Sequence, residues 1–182
     1  MISIIICSRT PKLRQSLVEN IENTIGRAFE WVVIDNSENR YSIFEAYNLG
    51  IKKSKGDYWC FVHDDVLFHT KGWGDIIFEV FESDEKIGLV GVAGAKVKTK
   101  MPSAWWDCDD QFIRMHLKQH FKDGAIKDWK IGNQTAPLEE VVVIDGVFMV
   151  ARKDERIRFL ESLMGFHNYD LNLSFEYLQK GY

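Results

Sequence analysis

The stretch GDYWCFVHDDVLF, residues 56–68, constrains the fold of this chain more than any other. Its apolar run Tyr58–Val62 is typical of a buried strand, and it passes directly into His63, Asp64 and Asp65. Two adjacent carboxylates at the end of a buried strand are costly to remove from water, so they usually bind a cation or transfer protons. Because Mg²⁺ and Mn²⁺ share carboxylate oxygens with substrate phosphates, we predict a metal–diphosphate site at Asp65. The alternative is a turn in which the two aspartates cap the next helix.

Two similar apolar runs precede this strand, and helical patterns separate the three. The runs Ile2–Cys7 and Phe29–Ile34 are apolar and rich in β-branched residues, while residues 11–25 and 43–54 have the spacing of amphipathic helices. A serine and a glutamate three residues apart predict a capping box at the start of the second helix. The alternation of strand and helix predicts an α/β fold with a parallel sheet, whose ligands bind at the carboxyl ends of the strands.

The second half of the chain has weaker patterns. Residues 73–81 have helical spacing, and Ile87–Ala93 and Val141–Ile144 are strand-like. Residues 97–140 mix basic, aromatic and acidic residues without a clear period. The Asp-Gly pair that follows the last run predicts either a hairpin turn or a kink within one strand that places Gly146 against a ligand.

A final helix is predicted near the end of the chain. Leu171, Phe175 and Leu178 are spaced as one apolar face, and Asp170 stands at its start. A carboxylate there accepts amide hydrogen bonds and is kept ionised by the helix dipole. An ionised, fixed carboxylate is what a general base must be, so Asp170 is a candidate base, and a plain N-cap is the alternative.

Two other groups are weaker candidates for ligands. His116 and His120 have metal-ligand spacing but no intervening glutamate, and a solvated helix face explains them better. Asp107 and Asp109 form a second carboxylate pair, but no buried strand delivers them. Both groups are weaker candidates for metal ligands than Asp64 and Asp65.

Composition narrows the class of protein. The chain has 182 residues, is 46% hydrophobic and 27% charged, and carries a net charge of −4, as expected of a soluble single domain. No basic face is visible, which argues against nucleic acid as a partner. Three cysteines without paired spacing suggest a reducing compartment, and the short apolar N-terminus predicts no signal peptide or membrane span. We therefore expect a cytoplasmic protein, and a peripheral contact with the inner face of the membrane is compatible with the sequence.

Taken together, the motifs resemble those of the family 2 glycosyltransferases of the GT-A fold. The resemblance rests on five segments in the expected order: SIIICSR (3–9), VVIDNSEN (32–39), AYNLGIKKSKGDYWCFVHDDV (46–66), DGVFMVAR (145–152) and GFHNYDLNLS (165–174). It implies a three-layer α/β/α sandwich around a mostly parallel twisted sheet. It also implies one domain, with residues 1–96 as the nucleotide-sugar-binding half and residues 97–182 as the acceptor-side half.

The resemblance also assigns roles to individual residues. Asp65 matches the metal-binding aspartate, with Mn²⁺ or Mg²⁺ as the cofactor, and Asp170 matches the catalytic base. His63 and Tyr169 depart from the family's acidic motifs, as does Asn36. His63 and Asn36 are still expected to bind the donor. The remaining residues expected to bind it are Ser8, Arg9, Asp35, Ser37, Asn48, Lys52 and Asp64. Those expected on the acceptor side, besides Tyr169, are Trp105, Trp106, Asp145 and Gly146.

The implied activity is transfer of a sugar, of hexosyltransferase type, from a UDP- or GDP-linked donor to a saccharide or lipid-linked acceptor. Inversion at the anomeric carbon and a role in cell-surface polysaccharide or glycoconjugate synthesis are expected. One alternative is an inactive domain that binds a nucleotide-sugar or a protein, favoured by the departures at His63 and Tyr169 and by the chain ending before the late metal-binding histidine usual in the family. Another is a sugar nucleotidyltransferase, which would normally have a glycine-rich segment after the first strand, and Ser8–Leu13 has no glycine.

Overall fold

A computed structural model describes residues 1–133, 135–136 and 138–182. The helices are α1 (Gln15–Thr24), α2 (Ile43–Lys53), α3 (Trp73–Ser83) and α4 (Tyr169–Gln179). The strands are β1 (Ile2–Ser8), β2 (Phe29–Asp35), β3 (Tyr58–Val62), β4 (Leu89–Gly91), β5 (Ala93–Ala95), β6 (Ile113–His120), β7 (Ile126–Ile131), β8 (Val143–Ile144) and β9 (Phe148–Arg152). Within these described residues, no helix has both the length and the apolar character needed to cross a bilayer.

The first sheet is mixed rather than mostly parallel. Its order is β2-β1-β3-β9-β4, and β1 is parallel to both of its neighbours. The pairings of β9 with β3 and with β4 are antiparallel, so only half of the sheet's four pairings are parallel. Parallel neighbours need a crossover connection, whereas β9 follows directly from a strand of the other sheet and enters in the opposite direction.

The second sheet is antiparallel throughout, with the order β7-β6-β5-β8. Two of the predicted strands were wrong in their extent because the chain changes sheet inside or after them. The run Ile87–Ala93 is divided at Val92, with β4 in the first sheet and β5 in the second. Residues 145–147 carry the chain back from β8 to β9, so the Asp-Gly pair forms neither a hairpin nor a kink within one strand.

Residues 97–140, which have no clear period in the sequence, contribute β6 and β7 to this second sheet. His116 and His120 lie in β6, so the prediction that they share a helix face is wrong. A four-residue spacing also places two side chains on one face of a strand, because successive strand residues alternate between faces. The four-residue spacing alone therefore did not distinguish a helix from a strand.

The first sheet has apolar clusters on both faces. Trp59 and Phe61 of β3 join side chains of α2 and α4 on one face, while Tyr58, Cys60 and Val62 join side chains of α1 and α3 on the other. A smaller third cluster gathers residues of the second sheet with one residue of α4. β3 is therefore buried on both faces, as its continuous apolar run predicts.

Two helices differ from their predicted form. α1 begins at Gln15 rather than at residue 11, because side-chain bonds hold the preceding segment in turns, among them Thr10 Oγ1 donating to Lys12 O at 2.7 Å. α4 buries Tyr169, Leu173 and Tyr177 against the core, whereas Phe175 and Leu178 of the predicted face are exposed. Of the predicted face only Leu171 is buried, where it joins the third apolar cluster.

The capping box predicted at the start of α2 is present. Ser42 Oγ accepts from Glu45 N at 3.3 Å, and Glu45 Oε2 accepts from Ser42 N at 2.8 Å. We expect Ser42→Ala to lower the free energy of unfolding by about 1 kcal/mol in chemical denaturation, because one helix amide loses its partner. Ser42→Thr keeps the hydroxyl and should lose less than half as much; equal losses would mean that the cap does not stabilise the helix.

Candidate functional site

The polar residues that follow β1, β2 and β3 lie along one edge of the first sheet. β1 pairs in parallel with both neighbours, and Ser8 stands opposite Asp35 in the register. His63 follows the end of β3 on the other side of β1. The carboxyl ends of the three strands therefore meet, as the sequence predicts.

Arg9 joins this edge to the acidic pair. Its backbone N–H donates to Asp64 Oδ2 at 3.1 Å, and its Nη2 donates to Asp64 Oδ1 at 2.6 Å and to Asp65 Oδ2 at 3.3 Å. The side chain of Asp64 is 11% exposed, whereas that of Asp65 is 49% exposed. Burial acts to raise the pKa of Asp64, but the hydrogen bonds and charge of Arg9 outweigh it and hold the pKa below its ordinary value. Asp64 thus fixes the guanidinium, and Asp65 presents its carboxylate to solvent.

At the end of β2, the exposed group is Asp35. Asp35 Oδ1 accepts from Ser37 N at 2.9 Å, and hydrogen bonds from Ser37 lower the pKa of this carboxyl. The amide of the buried Asn36 is instead used inside its own loop, donating to Tyr41 O and accepting from Tyr41 N, both at 2.9 Å. Ser8 Oγ donates to Thr10 O at 2.7 Å and is buried. Of these residues, Asp35 offers the most accessible polar group to a ligand.

The two positions that depart from the family's acidic motifs contact each other. His63 Nε2 lies 2.6 Å from Tyr169 Oη, although the residues are 106 positions apart in the chain. Burial raises the pKa of the Tyr169 phenol well above its ordinary value, so the hydroxyl stays protonated. A Cβ at Gly146 would overlap the Tyr169 hydroxyl, so glycine is required there. The only sign of this contact in the sequence is that both positions, His63 and Tyr169, depart from the family's acidic motifs.

Asp170 follows Tyr169 in the first turn of α4 and faces the same junction. Its Oδ2 accepts from Gly146 N at 3.2 Å, and its Oδ1 accepts from Leu171 N at 2.8 Å. Burial raises the pKa of Asp170, and the negative charge of Asp145 adds to the rise, while the two backbone hydrogen bonds oppose it. The carboxylate is therefore fixed in direction and has a higher proton affinity than an exposed aspartate.

The adjacent tryptophans have different environments. Trp105 is buried, and its Nε1 donates to Asp145 Oδ2 at 2.5 Å, while Asp145 Oδ1 accepts from Val147 N at 2.7 Å. Trp106 is 57% exposed and meets Trp105 edge to face at 5.4 Å between ring centroids. Trp105 therefore positions Asp145, and only Trp106 presents a large ring surface to solvent.

Asn48 and Lys52 lie apart from the carboxyl edge of the sheet. Asn48 Nδ2 donates to Phe159 O at 2.8 Å and its Oδ1 accepts from Phe159 N at 2.9 Å. Both α2 residues line a cleft of about 620 Å³ together with Trp59 and Lys153. Because Trp59 is near the beginning of β3 and Lys153 follows the antiparallel β9, the cleft lies toward the opposite end of β3 from His63.

A second cleft adjoins the start of α4. It has a volume of about 420 Å³, and its lining includes Lys100, Met101, Asn168, Leu171 and Phe175. Asn168 is the N-cap of α4 and has a left-handed backbone, with φ of 62°. This cleft is lined by the residues on either side of Tyr169 and Asp170, and its exposed wall area is mainly apolar.

The residues at the edge of the sheet fit a cation that shares its ligands with a substrate. Within the residues that the structure describes, no group of three or more His, Cys, Asp or Glu side chains is arranged to hold a metal ion. Asp64 is buried and bonded to Arg9, and His63 is bonded to Tyr169, whereas Asp65 is about half exposed although it also accepts a longer bond from Arg9. Mg²⁺ is commonly held by one or two carboxylates, substrate phosphates and water, so Asp65 suits a metal–diphosphate complex better than a resident metal.

Comparisons with known proteins show the family of this chain. The model of a family described as glycosyltransferase-like matches residues 3–182. A protein of Fuscovulum blasticum, described as "ATP synthase subunits region ORF 6", is 28% identical over 155 residues, which cover 82% of this chain and 57% of that protein. The chain thus spans little more than half the length of this curated relative, whose description names no activity. Because the family match covers nearly all of the sequence, the chain belongs to the glycosyltransferase-like family.

Proposed function

We propose that the protein transfers a sugar from a nucleoside-diphosphate donor to an acceptor hydroxyl with inversion, and that Asp170 is the general base. The carrying observation is the convergence of two segments that are far apart in the chain. The His63–Tyr169 bond joins the end of β3, with its acidic pair, to the turn of α4 that bears Asp170. A donor at the acidic pair would therefore lie beside a fixed carboxylate, as proximity catalysis requires.

The donor side supplies charge for the departing diphosphate. Asp65 would hold Mg²⁺ or Mn²⁺, which would supply positive charge to balance the negative charge that develops on the diphosphate as its bond to the sugar breaks. Arg9 adds a fixed positive charge beside Asp65, because Asp64 holds the guanidinium in place. The side chain of Arg9 nevertheless remains 68% exposed and can reach a ligand. Asp35 offers an exposed carboxylate at the neighbouring strand end for the hydroxyls of the nucleoside. A UDP- or GDP-linked sugar fits this assignment.

The acceptor side supplies the proton transfer. Asp170 takes the proton of the acceptor hydroxyl, and the pKa of its carboxyl, raised by burial, makes the carboxylate a stronger base than an exposed aspartate. Trp106 offers an exposed ring for a sugar face, and the cleft beside Asn168 and Leu171 offers room for the rest of a saccharide or lipid-linked acceptor. Attack from this side, opposite the leaving diphosphate, gives inversion.

The wider assignment follows from the family. A GT-A arrangement with helices on both faces of the first sheet is supported by the two clusters that cover those faces. A cytoplasmic protein acting in cell-surface polysaccharide or glycoconjugate synthesis is the setting we propose. One observation favours a second function, an inactive nucleotide-sugar-binding domain: the His63–Tyr169 bond uses two positions that are acidic in the family's pattern.

Asp170→Asn tests the proposed base. Its amide has nearly the same shape but cannot accept the proton, so turnover should fall by about 10²–10⁴-fold while nucleotide affinity changes less than twofold. Assays of donor hydrolysis and sugar transfer measure the turnover, and calorimetry measures the nucleotide affinity. Glu176→Gln on the same helix is the matched control and should keep the wild-type rate. Wild-type turnover by Asp170→Asn would exclude this base, and a wild type that binds nucleotide without turnover would favour the inactive domain.

The pH profile of turnover gives an independent test. Below its pKa Asp170 is protonated and cannot act as a base, so the rate should rise with pH and level off above that pKa. Because burial raises the pKa, the rising limb should be centred above the value of about 3.9 for an unperturbed aspartate. Turnover that does not decline at low pH while the protein remains folded would contradict the assignment.

Asp65→Ala tests the proposed metal ligand independently of the proposed base. It should remove the part of nucleoside-diphosphate binding that depends on Mn²⁺, which a thermal-shift titration with and without the metal detects, because a ligand of the folded state raises its melting temperature. Glu85→Ala, another exposed carboxylate, is the control and should retain the full metal-dependent shift. An equal shift in wild type and Asp65→Ala would exclude Asp65 as the metal ligand.

A further inference from the structure

The strands β6 and β7 form a hairpin arm, Ile113–Ile131, that is attached to the protein only at its base. β5 pairs with residues 113–115 of β6, and beyond this point the two strands pair with each other. All residues from Lys118 to Asp128 are exposed. The turn closes through Phe121 N donating to Ala125 O at 2.9 Å, with Gly124 at a φ of +86°. The part of the arm from Lys118 to Asp128 therefore projects into solvent, whereas Ile113, Met115 and Leu117 at its base pack against the third apolar cluster.

The arm is basic although the chain as a whole is acidic. It carries five Lys and Arg residues against two aspartates, in a chain of net charge −4. Among the described residues, neither Lys118 nor Lys122 has an ion pair, while Lys130 contacts Asp128 at 3.3 Å. Lysines along an edge strand discourage pairing with other chains, so these charges alone would not indicate a ligand.

The apolar residues at the tip require a different explanation. Phe121 is 43% exposed and Ile126 is 60% exposed, and both flank the turn. Beside them, Lys127 places its ammonium 3.4 Å from the centroid of the Trp129 ring. Exposed apolar side chains surrounded by lysines are the arrangement that binds at the boundary between lipid headgroups and acyl chains.

We propose that the hairpin arm docks the protein on an anionic lipid surface. Phe121 and Ile126 enter the headgroup boundary, and the lysines around the turn, Lys118 and Lys122 above all, contact the anionic headgroups. The charge of the arm is complementary to such a surface, whereas the negative charge of the rest of the chain is repelled by it. This docking does not depend on the proposed transferase activity, since the arm contains none of the residues assigned to the site.

Sedimentation of the full chain with vesicles tests the docking. The protein should bind vesicles of phosphatidylcholine mixed with phosphatidylglycerol at low ionic strength, bind pure phosphatidylcholine much less, and be released by high salt. Lys118→Glu and Lys122→Glu should each weaken partitioning at least fivefold, because each basic residue near an anionic surface contributes about that factor. Lys86→Glu, an exposed lysine on a different segment, is the charge control and should change partitioning less than twofold.

Phe121→Ser tests entry of the tip into the lipid. It should weaken partitioning at least fivefold, whereas Phe166→Ser, which removes a ring of similar exposure (45%) elsewhere, should have little effect. Circular dichroism and nucleotide binding without vesicles check that each variant is folded. The absence of binding to anionic vesicles, or equal loss in both phenylalanine variants, would overturn the proposal. Loss with the lysine variants alone would overturn the insertion of the tip and indicate adsorption to anionic surfaces of any kind, which competition by DNA would detect.

Discussion

The site depends on the packing of Tyr169 against Gly146 and His63. This one side chain connects the end of β3, the crossing from β8 to β9 and the first turn of α4. Gly146 contributes twice, because the absence of a Cβ makes room for the phenol and its N–H orients Asp170. The phenol is buried and stays protonated, so the junction holds a hydrogen bond rather than a charge pair. An acidic residue at position 169 would place a second carboxylate beside Asp170 and raise its pKa further.

The charged residues of the site divide into those that hold the structure and those that face a ligand. Asp64 is buried and bonded to Arg9, and Asp145 is held by Trp105 and by the backbone of Val147. Removing the Arg9 side chain would leave the buried Asp64 carboxylate without its charge partner, and removing Asp145 would leave the buried Trp105 N–H without an acceptor, each of which costs more than the bond contributes. Asp65, next to Asp64 in sequence, differs from it only in direction and exposure. The position at the end of the strand therefore decides which aspartate anchors the loop and which can bind a cation.

Local patterns in the sequence predicted the first half of the fold and the meeting of the carboxyl ends of β1, β2 and β3 at one edge, where the candidate site lies. The runs in β1 and β3 are apolar because these strands are buried, and the edge strand β2 is apolar although it is only partly buried. Ser42 and Glu45 fix the start of α2 through a local bond. The second half escaped prediction for the opposite reason. Most residues of β6 and β7 are exposed and only the base of the hairpin packs against the third apolar cluster, so burial imposes little alternation on these strands. The His63–Tyr169 and Trp105–Asp145 contacts join distant segments, and a single sequence contains no direct signal for such pairs.

The position of the site between the two sheets links its chemistry to the arm. Asp145 and Gly146 occupy the crossing from β8 to β9, so the residues proposed for the acceptor side stand where the second sheet joins the first. β8 forms one edge of the second sheet, and the hairpin arm forms the other, with β5 between them. A rigid antiparallel sheet thus separates Gly146 from the tip of the arm. If the tip rests on a lipid surface, the distance and orientation of the acceptor side relative to that surface are set by three strand pairings rather than by a flexible linker. An acceptor embedded in the same surface would then be presented to Asp170 at a fixed depth.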